Sequence, residues 1–101
     1  MDQRRSRRYE LRLPVEVTRA GSQRVSVSGE TCNVSSAGVL IKDPPAQVEV
    51  GQPVEYLIDL PTGRQIGGVR LRCMGTVVRL DEERQTLAAT LERYEFVRGA
   101  A

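Results

Sequence analysis

Two short stretches of this 101-residue chain carry side chains suited to chemistry. The first is Arg4-Arg5-Ser6-Arg7-Arg8, with an Arg-x-x-x-Arg spacing at Arg4 and Arg8. A guanidinium grips a phosphate bidentately, stacks flat on a base, or pairs with guanine O6 and N7; a lysine ammonium manages mainly the first, as a point charge. Four arginines and no lysine in one run suit a ligand that carries both phosphates and bases, although a solvated basic terminus has the same composition. The second stretch is Asn33-Val34-Ser35-Ser36-Ala37-Gly38. Its Asn and Ser side chains either hold a turn through local backbone hydrogen bonds or present polar atoms to a base edge. Gly38 permits a positive φ or the close approach of a ligand.

The distribution of charge narrows the ligand. The net charge is +2, but residues 1 to 8 hold four arginines against Asp2, and the remainder is close to neutral with 11 basic and 12 acidic residues. A protein that coats a duplex spreads its cations over a face. One concentrated arm suits a small, highly charged ligand or the edge of a nucleic acid. The chain has no histidine, Lys42 is its only lysine, and no nucleophile–base pair or metal-ligand set stands out. These features point to a binding module and away from an enzyme, with no metal and no cofactor. Cys32 and Cys73 lie in apolar, strand-like contexts and are expected to be buried reduced thiols, with a disulfide between them the other option. No apolar run approaches the length of a membrane span, and the basic start has no apolar stretch behind it. A cytoplasmic location is the expectation.

The elements that position these stretches read as strands. Leu11, Leu13, Val15 and Val17 alternate with Arg12, Pro14, Glu16 and Thr18, the period of a half-buried strand. Pro14 belongs at an edge or solvent-side position. Ala20-Gly21-Ser22 predicts a turn, and Val25 and Val27 resume the alternation. The apolar phase then moves to Cys32 and Val34, which predicts a bulge near Gly29. Val39-Leu40-Ile41 is a short strand ended by Asp43-Pro44-Pro45, and Gly51 marks a turn before Val54, Tyr56, Ile58 and Leu60. Pro61-Thr62-Gly63 reads as a hairpin connection. Val69, Leu71, Cys73, Gly75 and Val77 make the longest alternating run. Asp81-Glu82-Glu83-Arg84 is a charged turn, Leu87 to Leu91 the last strand, and Tyr94 and Phe96 a short helix or strand extension. The prediction is one all-β domain over residues 1–101: a flexible basic arm at 1–8 and a six-stranded antiparallel β-barrel at 9–97, closed because closure removes edges in so small a chain.

The order of the two motifs on this strand pattern resembles the PilZ family, whose pattern is Arg-x-x-x-Arg followed by Asp/Asn-x-Ser-x-x-Gly some twenty to thirty residues later. Here Arg8 precedes Asn33 by 25 positions. Leu13-Pro14-Val15-Glu16-Val17, Gly51 through Leu60-Pro61, Gly75-Thr76-Val77-Val78-Arg79 and Leu87 to Phe96 look like further family segments, so nearly the whole chain is covered. The resemblance implies a bacterial second-messenger receptor whose β-barrel binds cyclic di-GMP. Arg4 and Arg8 would contact phosphates and guanines, Arg5 and Arg7 would add a contact or raise the local potential, Asn33 and Ser35 would read a guanine edge, and Gly38 would leave room. Binding would order the arm and signal to a downstream protein that the sequence does not identify. Asn33 stands where Asp is commoner, and Arg98-Gly99-Ala100-Ala101 leaves little room for the family's frequent C-terminal helix. Two other readings are a ligand-free protein-interaction domain and a single-stranded nucleic-acid-binding barrel. The 4% aromatic content, with Tyr9 alone beside the arm, disfavours a nucleic-acid polymer as partner.

Overall fold

The computed structural model describes residues 12–42, 48–60 and 69–98. The arginine arm, the Asp43-Pro44-Pro45 strand end and the Pro61-Thr62-Gly63 connection lie outside the described residues. The described residues form seven strands: β1 (Pro14–Ala20), β2 (Gln23–Val34), β3 (Gly38–Lys42), β4 (Pro53–Leu60), β5 (Val69–Asp81), β6 (Thr86–Thr90) and β7 (Arg93–Arg98). They form one antiparallel sheet in the order β4-β1-β2-β3-β6-β5-β7, and pairing of β4 with β5 closes six of them into a barrel. Of the helix and the strand extension expected around Tyr94 and Phe96, the strand is the one present, as β7. It continues along β5 in the register set by β6, with Asp81 opposite Thr86 at one end and Val69 opposite Arg98 at the other.

The alternation in the sequence is the reason for closure. Val15, Val17, Val54, Tyr56, Ile58, Cys73, Val77, Val39, Ile41, Leu87 and Ala89 are all buried and face one core. Burial of each such aliphatic side chain stabilises the fold by about 1.5–3 kcal/mol relative to exposure. Tyr56 is fully buried, and its hydroxyl donates to the Thr90 carbonyl at 3.0 Å, as a buried phenol requires. Cys73 beside it is a free buried thiol, and burial pushes its pKa up to about 12. Cys32 is also a free thiol, half-buried rather than buried.

Tight turns carry the expected residues. Gly21 between β1 and β2 has φ 64°, and Gly51 before β4 has φ 94°, the left-handed region that side chains disfavour. Pro14 opens β1 and is exposed. The bulge in β2 is not at Gly29, which sits in regular register opposite Val15. It falls between Thr31 and Asn33. The reason is Thr31, a polar residue that holds an inward position with 1% exposure. The inward phase therefore runs on through Thr31, and Cys32 is the extra residue that resets it so that Val34 packs on the core.

Candidate functional site

The Asn-x-Ser-x-x-Gly segment is the β2–β3 turn, and Ser35 is its internal brace. The Ser35 Oγ accepts from the backbone N–H groups of Ala37 and Gly38, both at 3.2 Å, and donates to the Gly38 carbonyl at 3.4 Å. The Ser35 N–H donates to the same carbonyl at 2.9 Å. A hydroxyl has one proton and two lone pairs, so this one is fully used within the turn. Gly38 starts β3 opposite Thr90 of β6. A Cβ there would lie 2.5 Å from the Ala89 carbonyl oxygen. The close approach that requires glycine is thus made by the neighbouring strand. The turn is also docked: the Leu91 N–H donates to the Ala37 carbonyl at 2.9 Å.

Asn33 lies on the outer face of the barrel wall. Residues opposite one another in an antiparallel pair share a face, and the pairing runs Asn33–Leu40, Leu40–Ala88, Ala88–Arg79 across β2, β3, β6 and β5. Their sequence neighbours Val39, Ile41, Leu87 and Ala89 face the core. The row therefore has an apolar floor, Leu40 and Ala88, with an amide at one end and a guanidinium at the other. Three inter-strand steps set the ends about 14 Å apart. Each end residue directly follows a β-bulge, at Cys32 in β2 and at Val78 in β5, a device that re-aims side chains. The groove over this row is lined by Asn33, Ser35, Leu40, Val78, Arg79 and Ala88, among others, and holds about 160 Å³. Sites that enclose a drug-sized ligand span about 300–1,000 Å³, so this groove is too small to enclose one by itself.

Arg79 was not among the site residues read from the sequence. Its signal was the Val77-Val78-Arg79 break in the alternation, where a buried valine is followed by one that is 52% exposed. Among the described residues Arg79 pairs with no carboxylate, unlike the other outer-face arginines of β5. Arg70 bonds Asp59 at 2.5 Å and reaches Glu16, and Arg72 bonds Glu95 and lies 3.8 Å from Glu55. Among the described residues Arg79 is therefore the β5 arginine left without a carboxylate partner.

Arg4, Arg5, Arg7 and Arg8 lie outside the described residues, but Leu13, where the described chain enters β1, is fixed close to the turn. The Leu13 N–H donates to Thr31 Oγ1 and the Thr31 N–H donates to the Leu13 carbonyl, both at 2.9 Å. Thr31 is two residues from Asn33. Arg8 is five residues from Leu13, a contour length of at most about 18 Å. Among the described residues no cluster of three or more His, Cys, Asp or Glu side chains is placed to hold a metal ion, and no helix is long and apolar enough to cross a membrane.

Comparison with known proteins agrees with this architecture. The PilZ domain model matches residues 2–97. No curated protein matches the chain. Among solved structures, the Bacillus subtilis inhibitor of motility (MotI/DgrA) is similar, with a TM-score of 0.71 at 15% identity over 94% of this chain and 45% of that one. The chain thus spans a little under half of that protein, and the likeness is one of fold.

Proposed function

The chain belongs to the PilZ domain family, a family of cyclic di-GMP receptors, and on that premise we propose that it binds cyclic di-GMP over the Asn33–Arg79 groove, with the arginine arm closing the open side. The observation that carries this reading is the pinning of the arm's root at Thr31, two residues from Asn33. The segment that carries two cationic forks joins the barrel at Leu13, close in the fold to a shallow groove that is itself too small to enclose two purines. Arg4 and Arg8 grip phosphates and guanine faces or edges, with Arg5 adding to the potential. Asn33 offers its amide to a guanine edge from one end of the groove, and Arg79, which pairs with no carboxylate among the described residues, presents its guanidinium from the other. Leu40 and Ala88 give a flat apolar floor on which a base can lie. Ser35 acts through the turn, holding Asn33 and the Ala37 backbone in place. Gly38 acts by letting β3 meet β6.

In this reading the protein is a cytoplasmic adaptor without catalysis. Ordering of the arm creates a new surface for a downstream protein. Isothermal titration calorimetry with cyclic di-GMP is the test. Saturable binding at micromolar ligand is expected, weakened at least about tenfold by Arg8→Ala through loss of a bidentate contact. No heat from a folded protein, or wild-type affinity in Arg8→Ala, would overturn it.

A further inference from the structure

We infer that Thr31 is a positioning residue for the ligand: it sets where the arginine arm starts relative to Asn33, and its hydroxyl rather than its bulk does so. This rests on the site proposed above. Thr31 is 1% exposed, so it cannot touch a ligand on the outer face. A buried inward position in a β-strand is ordinarily filled by an aliphatic residue, and valine would match its shape. What threonine adds is an acceptor for the Leu13 N–H at 2.9 Å. That amide lies just ahead of Pro14 and β1, where ladder pairing with β2 begins at Pro14–Glu30. The reciprocal Thr31 N–H to Leu13 carbonyl bond makes a two-point clamp. The clamp fixes Leu13, five residues after Arg8, against the strand that carries Asn33. From the same residue the chain passes through the Cys32 bulge, which turns Asn33 to the outer face. One buried hydroxyl thus references both halves of the site to each other. Without it the Leu13 N–H loses its partner, Leu13 is held less firmly ahead of β1, and binding must restore that order.

The experiment compares wild type, Thr31→Val and Thr31→Ser. It uses calorimetric titration with cyclic di-GMP and hydrogen exchange of the Leu13 amide by NMR, the latter also without ligand. The expectation is that Thr31→Ser keeps affinity within about twofold, whereas Thr31→Val weakens it about three- to tenfold, the worth of one hydrogen bond. The Leu13 amide exchanges faster in Thr31→Val while the Val15 and Val17 amides stay protected. Equal affinity in Thr31→Val and wild type, or equal weakening in both variants, overturns the inference. If Thr31→Val does not fold, Leu13→Pro removes the same donor from the other side, and unchanged affinity there overturns it equally. If wild type binds no cyclic di-GMP, the proposed function fails on its own account. The clamp is then judged by ligand-free exchange alone, and a Leu13 amide as protected in Thr31→Val as in wild type refutes it.

Discussion

β5 borders two different neighbourhoods. Its later half, Val77–Asp81, pairs with β6 and forms one wall of the groove, whereas its earlier half, Val69–Met74, pairs with β7. At the groove, position is set by backbone fit. Ser35 spends its hydroxyl inside the turn, Gly38 abuts the Ala89 carbonyl, and Leu91 docks the turn onto the start of the β6–β7 connection. At β7, contacts are between exposed side chains: Arg72 with Glu95, and Tyr94 edge-to-face on Phe96 with ring centres 6.0 Å apart. Tyr94 and Phe96 are 60% and 68% exposed. The site end is built so that a single atom matters, and the β7 end so that many substitutions are absorbed.

The sharpest way to break that contrast is at Gly75, where the two neighbourhoods meet. A Cβ on Gly75 would sit 1.7 Å from the Thr90 carbonyl oxygen, the atom that also receives the Tyr56 hydroxyl. Backbone must move, and Gly75→Ala is expected to cost about 3 kcal/mol in urea denaturation. Gly38→Ala meets Ala89 less severely and should cost about 2 kcal/mol by the same measurement. Ser35→Ala removes the brace of the turn and should cost about 1 kcal/mol. If Ser35 works through the turn, the same variant also broadens or shifts the Ala37 and Gly38 amide resonances before any ligand is added.

A smaller effect is expected from pH at the β6–β7 corner. The Glu92 carboxylate accepts from Thr90 Oγ1 at 2.6 Å and Thr76 Oγ1 at 2.8 Å, and these bonds hold its pKa below the ordinary 4.5. A carboxyl with a lowered folded-state pKa contributes stability above its unfolded value and loses it as pH falls through the folded one. Wild type should therefore unfold at a higher temperature than Glu92→Gln at pH 7, and the gap should narrow as pH falls below 4.5. The smallest effect is at the exposed aromatics: Tyr94→Ser and Phe96→Ser should each stay within about 0.5 kcal/mol of wild type. A larger loss in either would show that β7 is packed as tightly as the groove.

Much of the barrel was legible because its strands alternate strictly, as in Val54, Tyr56 and Ile58, and because Gly21 and Gly51 mark turns that need positive φ. The turn motif was legible as a turn. Its internal division of labour was not, because a serine that braces a turn and one that reads a base look the same in sequence. Thr31 misled for a physical reason: a buried hydrogen bond to Leu13 lets a polar residue occupy an inward position, so the phase change read as earlier than Cys32. Arg79 was hidden by its bulge. Only the pairing Asn33–Leu40–Ala88–Arg79 shows that residues 46 positions apart share one face.

The central claim is that cyclic di-GMP docks on the groove end of the barrel. Backbone amide shift mapping during a titration tests it most directly. The account predicts the largest changes at Asn33, Ala37, Leu40, Arg79 and Leu13, with Tyr94 to Val97 unmoved. Changes centred on β7, with the Asn33–Arg79 row silent at saturation, would contradict it.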